Sequence, residues 1–372
     1  MDRTERHQSR PSRRRGPRLL IAVLAAVALA LVGTRLVDEP PRPQVVATPV
    51  VPAPAPAPVP LSPAELAERV VPTIVNVTSS TGPRATAGTG IVLTADGLVL
   101  TNHHVIDGAT DIDATSLSNG LRYDAEVLGY DRFRDVAVLR LESADGLPVA
   151  TIGDSTLVRL ADPVTAIGNA DGGGLPVAAP GQVTGLNQSV TARNAGDGSR
   201  NRLTGMIEVD ADVRPGDSGG PLVDAYGAVV GISTAGNPDT RPDLPGADPA
   251  LITSFAIPIA DAMGVAGQVR EGRTGGTVHV GPTPYLGLAV TDSSTLQDGA
   301  KVVAVGTDSP AARAGIRDGD VVISWSGAPI RSASDLTFEM TARYPGDRVD
   351  IGWVDAAGAV QTATLVLGNG TP

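Results

Sequence analysis

The stretch Gly216-Asp217-Ser218-Gly219-Gly220-Pro221 decides how this chain is read, because it presents a serine on a tight, glycine-rich turn. A hydroxyl at its ordinary pKa is a poor nucleophile. It needs a base within hydrogen-bond reach and donors for the oxyanion it creates. Small residues beside the serine let the backbone N–H groups of Gly216 and Ser218 approach such an oxyanion. The plainer reading is a Gly-rich turn with a capping Asp and Ser, so the rest of the chain has to supply the partners.

The chain has four histidines, His7, His103, His104 and His279. His7 lies in an Arg-rich tail and His279 in a Gly-rich linker, so only the adjacent pair falls in a patterned region. There Ile91-Val92-Leu93-Thr94, Ala95-Asp96-Gly97 and Leu98-Val99-Leu100-Thr101 predict a β-hairpin closed by an Asp-Gly turn. Thr101-Asn102-His103-His104-Val105 then sits at a strand end, where one histidine projects into a cleft and the other is an ordinary surface residue. A third member is a buried carboxylate that fixes the imidazole tautomer. Asp135 fits, opening the apolar run Val136-Ala137-Val138-Leu139 after Asp131-Arg132-Phe133-Arg134. An Asp at a strand start is also a common turn residue. The order His104, Asp135, Ser218 gives it more weight.

At 372 residues the chain holds about two domains. Hydrophobic residues make up 42% and aromatics 3%, so the core is built from Val, Ile, Leu and Ala. With 44 Gly and 31 Pro, turns are frequent, which suits short strands. No cysteine is present, which excludes disulfides and thiolate metal sites; neither a cofactor nor a metal is implied. The first 18 residues carry seven Arg against Asp2 and Glu5, leaving 22 basic and 38 acidic residues in the remainder. An acidic body of this kind argues against nucleic acid as a partner.

Residues 19–32 are apolar without a break, and residues 19–37 rise about 28 Å as a helix with Arg35 snorkelling. Seven preceding arginines predict a cytoplasmic N-terminus and an exported remainder. The favoured expectation is an uncleaved signal anchor in the plasma membrane. A cleaved signal peptide ending near Ala28-Leu29-Ala30 is the alternative. The Pro-alternating stretch up to Pro60 favours polyproline II and spans up to about 60 Å. Ser62, Pro63 and Glu65 then predict a capped helix start. From Ile74 to about Pro258, short β-rich runs alternate with turn clusters, suiting two barrels with the polar groups at their seam. A helix is predicted from Ile259 to Arg270, with a hinge over residues 271–276.

The pieces Gly88-Thr89-Gly90-Ile91, Thr101-Asn102-His103-His104-Val105, Asp135-Val136-Ala137-Val138-Leu139, Ala166-Ile167-Gly168-Asn169 and the segment from Ile207 to Thr234 together resemble the HtrA/Deg family of trypsin-fold proteases. Ser309-Pro310-Ala311-Ala312-Arg313-Ala314-Gly315-Ile316 and Asp318-Gly319-Asp320-Val321-Val322 resemble that family's PDZ domains, and Tyr285, Leu286, Gly287 and Leu288 a PDZ carboxylate-binding loop. The resemblance covers residues 62–369. It implies an all-β, chymotrypsin-like double β-barrel plus an α+β PDZ domain, here preceded by a transmembrane helix and a Pro-rich linker. The expected organisation is a basic tail (1–18), an anchor (19–37), a Pro/Ala-rich linker (38–61), a protease domain (62–275) and a PDZ domain (284–369).

The implied site is His104 as base, Asp135 as its partner, Ser218 as nucleophile, and the N–H groups of Gly216 and Ser218 as oxyanion hole. Substrate-binding candidates are Asp212, Val213, Gly231, Ile232 and Ser233. Asp212 lies six residues before Ser218, where a carboxylate selects Arg or Lys; the family habit of small aliphatic P1 residues points the other way, and Asp212 could instead hold the loop through Arg214. Asp217 stands where the family commonly has Asn, and is expected to pair with a side chain or a backbone N–H. Residues 187–205 resemble the loop that senses the PDZ domain, and a helix from Ser332 to about Arg343 walls the peptide groove.

The function so implied is a membrane-tethered, exported serine endopeptidase acting on unfolded or damaged proteins, with C-terminal peptides at the PDZ groove. A non-catalytic peptide-binding chaperone and a dedicated processing protease are the alternatives. Family trimers assemble through N-terminal aromatics, and residues 38–75 contain none, so a homotrimer would lack its usual contact.

Overall fold

The structure, a computed structural model, describes residues 59–193, 200–236, 253–293 and 298–372. The basic tail, the anchor at 19–37, His7 and most of the Pro-rich linker lie outside the described residues, as do residues 194–199 of the sensing loop. Among the described residues no helix is long and apolar enough to cross a membrane.

The folded part opens with α1 (Pro63–Val70), started by the expected capping box: Glu65 N–H donates to Ser62 Oγ at 3.4 Å and Ser62 N–H to Glu65 Oε2 at 2.8 Å. Its buried residues Leu66 and Val70 join the main core. Strands β1 (Ile74–Thr81), β2 (Arg84–Val92), β3 (Leu98–Thr101), β4 (Asp111–Ser116), β5 (Arg122–Asp131) and β6 (Val136–Leu141) follow. They pair in the order β5-β4-β1-β2-β3-β6, and a further β5–β6 pairing closes the ring. The β2–β3 hairpin differs from expectation: Leu93 and Thr94 leave the strand for a five-residue loop, in which Thr94 Oγ1 caps Leu98 N–H at 3.1 Å.

A second barrel is built from β7 (Pro163–Gly168), β8 (Val177–Arg193), β9 (Arg200–Val209), β10 (Pro221–Asp224), β11 (Val229–Gly236) and β12 (Ser254–Pro258). It closes in the order β10-β11-β12-β9-β8-β7. One aliphatic cluster spans both barrels, joining Ile74, Ile91 and Leu98 to Ile167, Val223 and Ile232. The helix expected at Ile259–Arg270 is present and buries Ile259, Ala262, Val265, Ala266 and Val269 on that cluster. Burial of this kind contributes about 25 cal/mol per Å² of apolar surface.

The linker reading of His279 is corrected. Val278–Val280 form β13, antiparallel to the end of β5, and His279 is fully buried. Beyond it, β15 (Leu288–Asp292), β16 (Ala300–Val305), β17 (Val321–Trp325), β19 (Arg348–Val354) and β20 (Val360–Val366) form the last domain's sheet, with β15 at its edge. Short β14 (Pro284–Tyr285) pairs with β21 (Gly368–Asn369), and β18 (Ala328–Pro329) with β17. The expected groove helix runs over Ala333–Thr341, with Ser332 Oγ accepting from Asp335 N–H at 3.0 Å. This domain packs on its own core around fully buried Trp325.

Candidate active site

β3 ends at Thr101, and the next residues turn into a short helix, His103–Ile106, rather than remaining extended. Successive helical residues diverge by about 100°, so His103 and His104 face different surroundings without pointing opposite ways. His104 Nδ1 lies 2.8 Å from Asp135 Oδ2, and His104 N–H donates to Asp135 Oδ1 at 2.9 Å. Asp135 is buried and adopts φ +57°, an uncommon conformation for a non-glycine residue, at the mouth of β6. The preceding turn is organised by fully buried Asp131, which accepts from the N–H groups of Phe133 and Arg134, each at 3.0 Å.

Burial alone would raise the Asp135 carboxyl. The His104 charge and the bonds from His104 and Thr234 outweigh it and hold the pKa below its ordinary value. Burial likewise pulls the His104 imidazole down, and Asp135 reverses that to a net upward shift. His103 is buried, with Nε2 making no hydrogen bond among the described residues, 4.0 Å from Asp107 Oδ1, and its ring 4.9 Å from that of Tyr130. Burial first, then the Arg132 charge, push it down to about 4, so it is neutral at pH 7.

Ser218 comes from the second barrel. Its Oγ donates to the Thr234 carbonyl at 3.2 Å, while Thr234 Oγ1 donates to Asp135 Oδ2. Thr234 lies where the β11–β12 register shifts between Ser233 and Ala235, a bulge that leaves it without a partner residue in the β11–β12 register. The serine turn is held by Gly219 N–H on Ser233 O and Thr89 N–H on Ser218 O, both at 2.8 Å. Fully buried Thr89 adds a side-chain bridge: its Oγ1 donates to Gly216 O at 2.7 Å and accepts from Asn169 N–H at 2.9 Å. Gly216 has φ +99°, and a Cβ there would stand 2.1 Å from Asn169 O. Only glycine fits. Among the described residues the N–H groups of Gly216 and Ser218 donate to no other protein group. Thr89 and Thr234 were missed as site residues; both stand in motifs singled out above, but a hydroxyl between small residues carries no signal of its partner.

The acidic residues around the turn resolve differently from expectation. Asp217 is 3% exposed; Arg214 supplies its backbone N–H to Oδ2 at 2.9 Å, and Oδ1 has no partner among the described residues. Burial pushes the Asp217 pKa up to about 6 against that bond. Because the folded value lies above the ordinary 3.8, this group's contribution to stability is present below about pH 4 and lost as pH rises through 6. Asp217→Asn is therefore expected to raise Tm more at pH 8 than at pH 4.5. An equal gain at both pH values, or a loss at pH 8, would contradict this account.

Asp212 is engaged by Arg214, whose Nε and Nη2 lie 2.8 and 2.6 Å from its Oδ2. Val213 and Ile232 are buried, the latter completely, and Ser233 contributes backbone bonds to the nucleophile turn. The segment beside Ser218 Oγ is Thr234; Gly231 lies in the strand pairings of β11, and Ile232 packs in the core instead of offering a side chain to a pocket.

In the last domain, Tyr285, Leu286, Gly287 and Leu288 lead into edge strand β15, and with the groove helix they border a cleft of about 510 Å³. The first barrel closes one side of it with Asp107, Gly108, Tyr130 and Arg132. Gly108, just past the His104 helix, donates its N–H to Pro372 O at 2.7 Å. His279 joins barrel and groove helix, with Nδ1 2.9 Å from Thr341 O and Nε2 3.0 Å from Pro282 O. Phe133, two residues before Asp135, meets Phe338 of the groove helix edge-on at 6.2 Å between centroids.

Two closed barrels that meet at a His–Asp pair and a serine turn, followed by a small domain with an open edge strand, define a trypsin-like serine peptidase carrying a peptide-binding module. Residues 88–232 match a trypsin-like peptidase domain and residues 284–355 a PDZ domain. Serine protease PepD of Mycobacterium tuberculosis is 33% identical over 337 residues, covering 87% of this chain and 69% of that protein. Periplasmic serine endoprotease DegP of Escherichia coli is 34% identical over 273 residues, 71% of this chain and 53% of that protein. Among solved structures, the serine endoprotease from Yersinia pestis aligns at 27% identity and TM-score 0.45, over 84% of this chain and 99% of that one. The HtrA-type protease AlgW with a tripeptide aligns at 27% identity and TM-score 0.48, over 84% and 98%. The chain belongs to the HtrA/Deg family of trypsin-fold serine endopeptidases with a C-terminal PDZ domain.

Proposed function

We propose that the protein is an exported, membrane-tethered endopeptidase that cleaves unfolded or damaged proteins through an acyl-enzyme and is regulated at its PDZ groove. The observation that carries the chemistry is the His104–Asp135 bond facing a serine turn with two unengaged N–H groups. Rotation about χ1 takes Ser218 Oγ from Thr234 O toward His104 Nε2, which accepts its proton as Oγ bonds the scissile carbonyl carbon. The N–H groups of Gly216 and Ser218 hold the oxyanion. His104 then protonates the leaving amine, and a water, deprotonated by the same nitrogen, releases the acyl group as a carboxylate.

Tethering rests on the apolar residues 19–37 beside seven arginines, which orient the catalytic and PDZ domains outside the cytoplasm. Peptide capture rests on the exposed edge of β15 above Leu286, Leu288, Leu336 and Met340, which suits an added strand with an apolar last side chain. Regulation rests on Phe338 and Thr341, which tie the groove helix to the segments bearing Asp135 and His279. Because Arg214 occupies the Asp212 carboxylate, the P1 site is assigned to small aliphatic residues rather than Arg or Lys.

One kinetic design tests these parts together: hydrolysis of P1-varied peptides, with and without an apolar C-terminal peptide, by wild type and Phe338→Ala. Val or Ala is expected to be preferred at P1, and the variant to bind the C-terminal peptide while losing most of its stimulation. Preference for Arg that vanishes in Asp212→Asn would overturn the P1 assignment. Undiminished stimulation in Phe338→Ala would overturn the coupling.

A further inference from the structure

A serine turn with Asp before the nucleophile needs something to hold the oxyanion peptide, and in this chain the holding groups converge on one arginine. The peptide that carries the Gly216 N–H also carries the Pro215 carbonyl. In a trans peptide these point opposite ways, so fixing one aims the other. Pro215 O accepts from Asp171 N–H at 2.6 Å. That bond fixes where the Gly216 N–H points.

Asp171 lies in the single turn Ala170–Gly172 after β7 and has φ +58°, a conformation that costs a non-glycine residue on the order of 1 kcal/mol. Its place therefore depends on outside support. On one side Asn169 anchors the segment, through its N–H on Thr89 and its Oδ1 on Gly174 N–H at 2.6 Å. On the other side stands Arg214. Its Nη1 lies 3.6 Å from Asp171 Oδ2 while Nε and Nη2 grip Asp212, and its backbone N–H serves Asp217. Pro215 follows directly, limiting the backbone freedom of both residues.

We propose that Arg214 and Asp171 are positioning residues for the reaction: their ion pair clips the Ala170–Gly172 turn to the nucleophile loop and so aims the Gly216 N–H at the oxyanion. Neither touches substrate. This rests on the serine-peptidase reading above and answers how a turn with Asp217 is kept competent. Arg214 suits this role because its planar fork presents separate N–H groups to Asp212 and Asp171 in a fixed geometry.

The pair is half-exposed, 41% and 60% for the two side chains, so its effect is modest and screened by salt. The experiment uses the full-length protein and measures acylation by a fluorophosphonate and peptide hydrolysis, at low salt and in 1 M NaCl. Wild type labels and Ser218→Ala does not; labelling of Ser218→Ala would sink the serine-peptidase reading itself, independently of the clip. Asp171→Asn, which keeps the backbone N–H and tolerates φ +58°, is expected to lower kcat about threefold to fivefold with KM within twofold. Arg214→Gln is expected to lower kcat about tenfold. Salt should slow wild type toward Asp171→Asn and leave Asp171→Asn unchanged.

Asp212→Asn/Arg214→Gln separates the clip from mere neutralisation of Asp212. It should remain as slow as Arg214→Gln, and Asp171→Asn/Arg214→Gln should be no slower. Recovery of wild-type kcat in the Asp212→Asn double variant, wild-type kcat in Asp171→Asn, or a loss confined to KM would each overturn the proposal.

Discussion

Ser218→Ala is expected to lower kcat by about 10⁶ with the fold intact, and adding His104→Ala should cost almost nothing further. Among the described residues the removed hydroxyl bonds only the Thr234 carbonyl, which lies on a bulge, so the loss breaks a single side-chain hydrogen bond. The strand pairings that build the seam do not involve that oxygen. His104→Ala alone should be as severe, because among the described residues its imidazole is the one titratable group bonded to Asp135.

His103→Ala separates chemistry from packing. Its ring packs on Tyr130 and is neutral at pH 7, so the expected result is near-normal kcat with a lower Tm. Casein cleavage by Ser218→Ala at the wild-type rate, or loss of turnover confined to His103→Ala, would reassign the nucleophile or the base.

The parts of this protein legible in the sequence are those where a residue's role is set by its immediate neighbours. The capping box at Ser62 and Glu65, the helix at Ile259–Arg270 and the groove helix after Ser332 depend on local backbone groups, and each lies where the pattern places it. The serine turn is legible for the same reason, since the glycines that permit it adjoin Ser218. What was not legible depends on residues far apart in the chain. Asp135 meets Thr234 across 99 positions, and Thr89 reaches Gly216 across 127. The glycines flanking Thr89 mark a motif, but nothing in it says that the hydroxyl meets Gly216.

His279 shows the opposite error. Glycines at 275, 276 and 281 suggest a linker, yet the intervening Val278 and Val280 are enough to add a strand to β5, and tertiary pairing overrides the local composition. The groove meets the first barrel at Tyr130, Arg132 and Phe133, a contact that the sequence did not suggest beside the expectation placed on residues 187–205. Local pattern cannot rank one polar loop against another as a contact surface.

Asp135→Asn is expected to lower kcat by about 10⁴, less than loss of Ser218 and more than any other single change outside the nucleophile and base. The argument is one of donors and acceptors. In the wild type Asp135 Oδ1 accepts from His104 N–H and Oδ2 faces both His104 Nδ1 and Thr234 Oγ1, so the carboxylate is acceptor at every contact. An amide has only one acceptor oxygen. If that oxygen keeps the backbone N–H, the NH₂ faces Nδ1, forces the proton to Nε2 and removes the lone pair that must take the Ser218 proton. Thr234 loses its acceptor as well.

The pH profile carries a second signature. Asp135 raises the His104 pKa, so the wild-type acidic limb lies above the ordinary histidine value, with activity rising as the imidazole loses its proton. In Asp135→Asn burial is opposed only by the weaker Asp107 charge, and the limb of the residual activity should move to lower pH. A variant within tenfold of wild type, or one slowed 10⁴-fold with its acidic limb unmoved, would show that Asp135 does not set the tautomer and charge of His104.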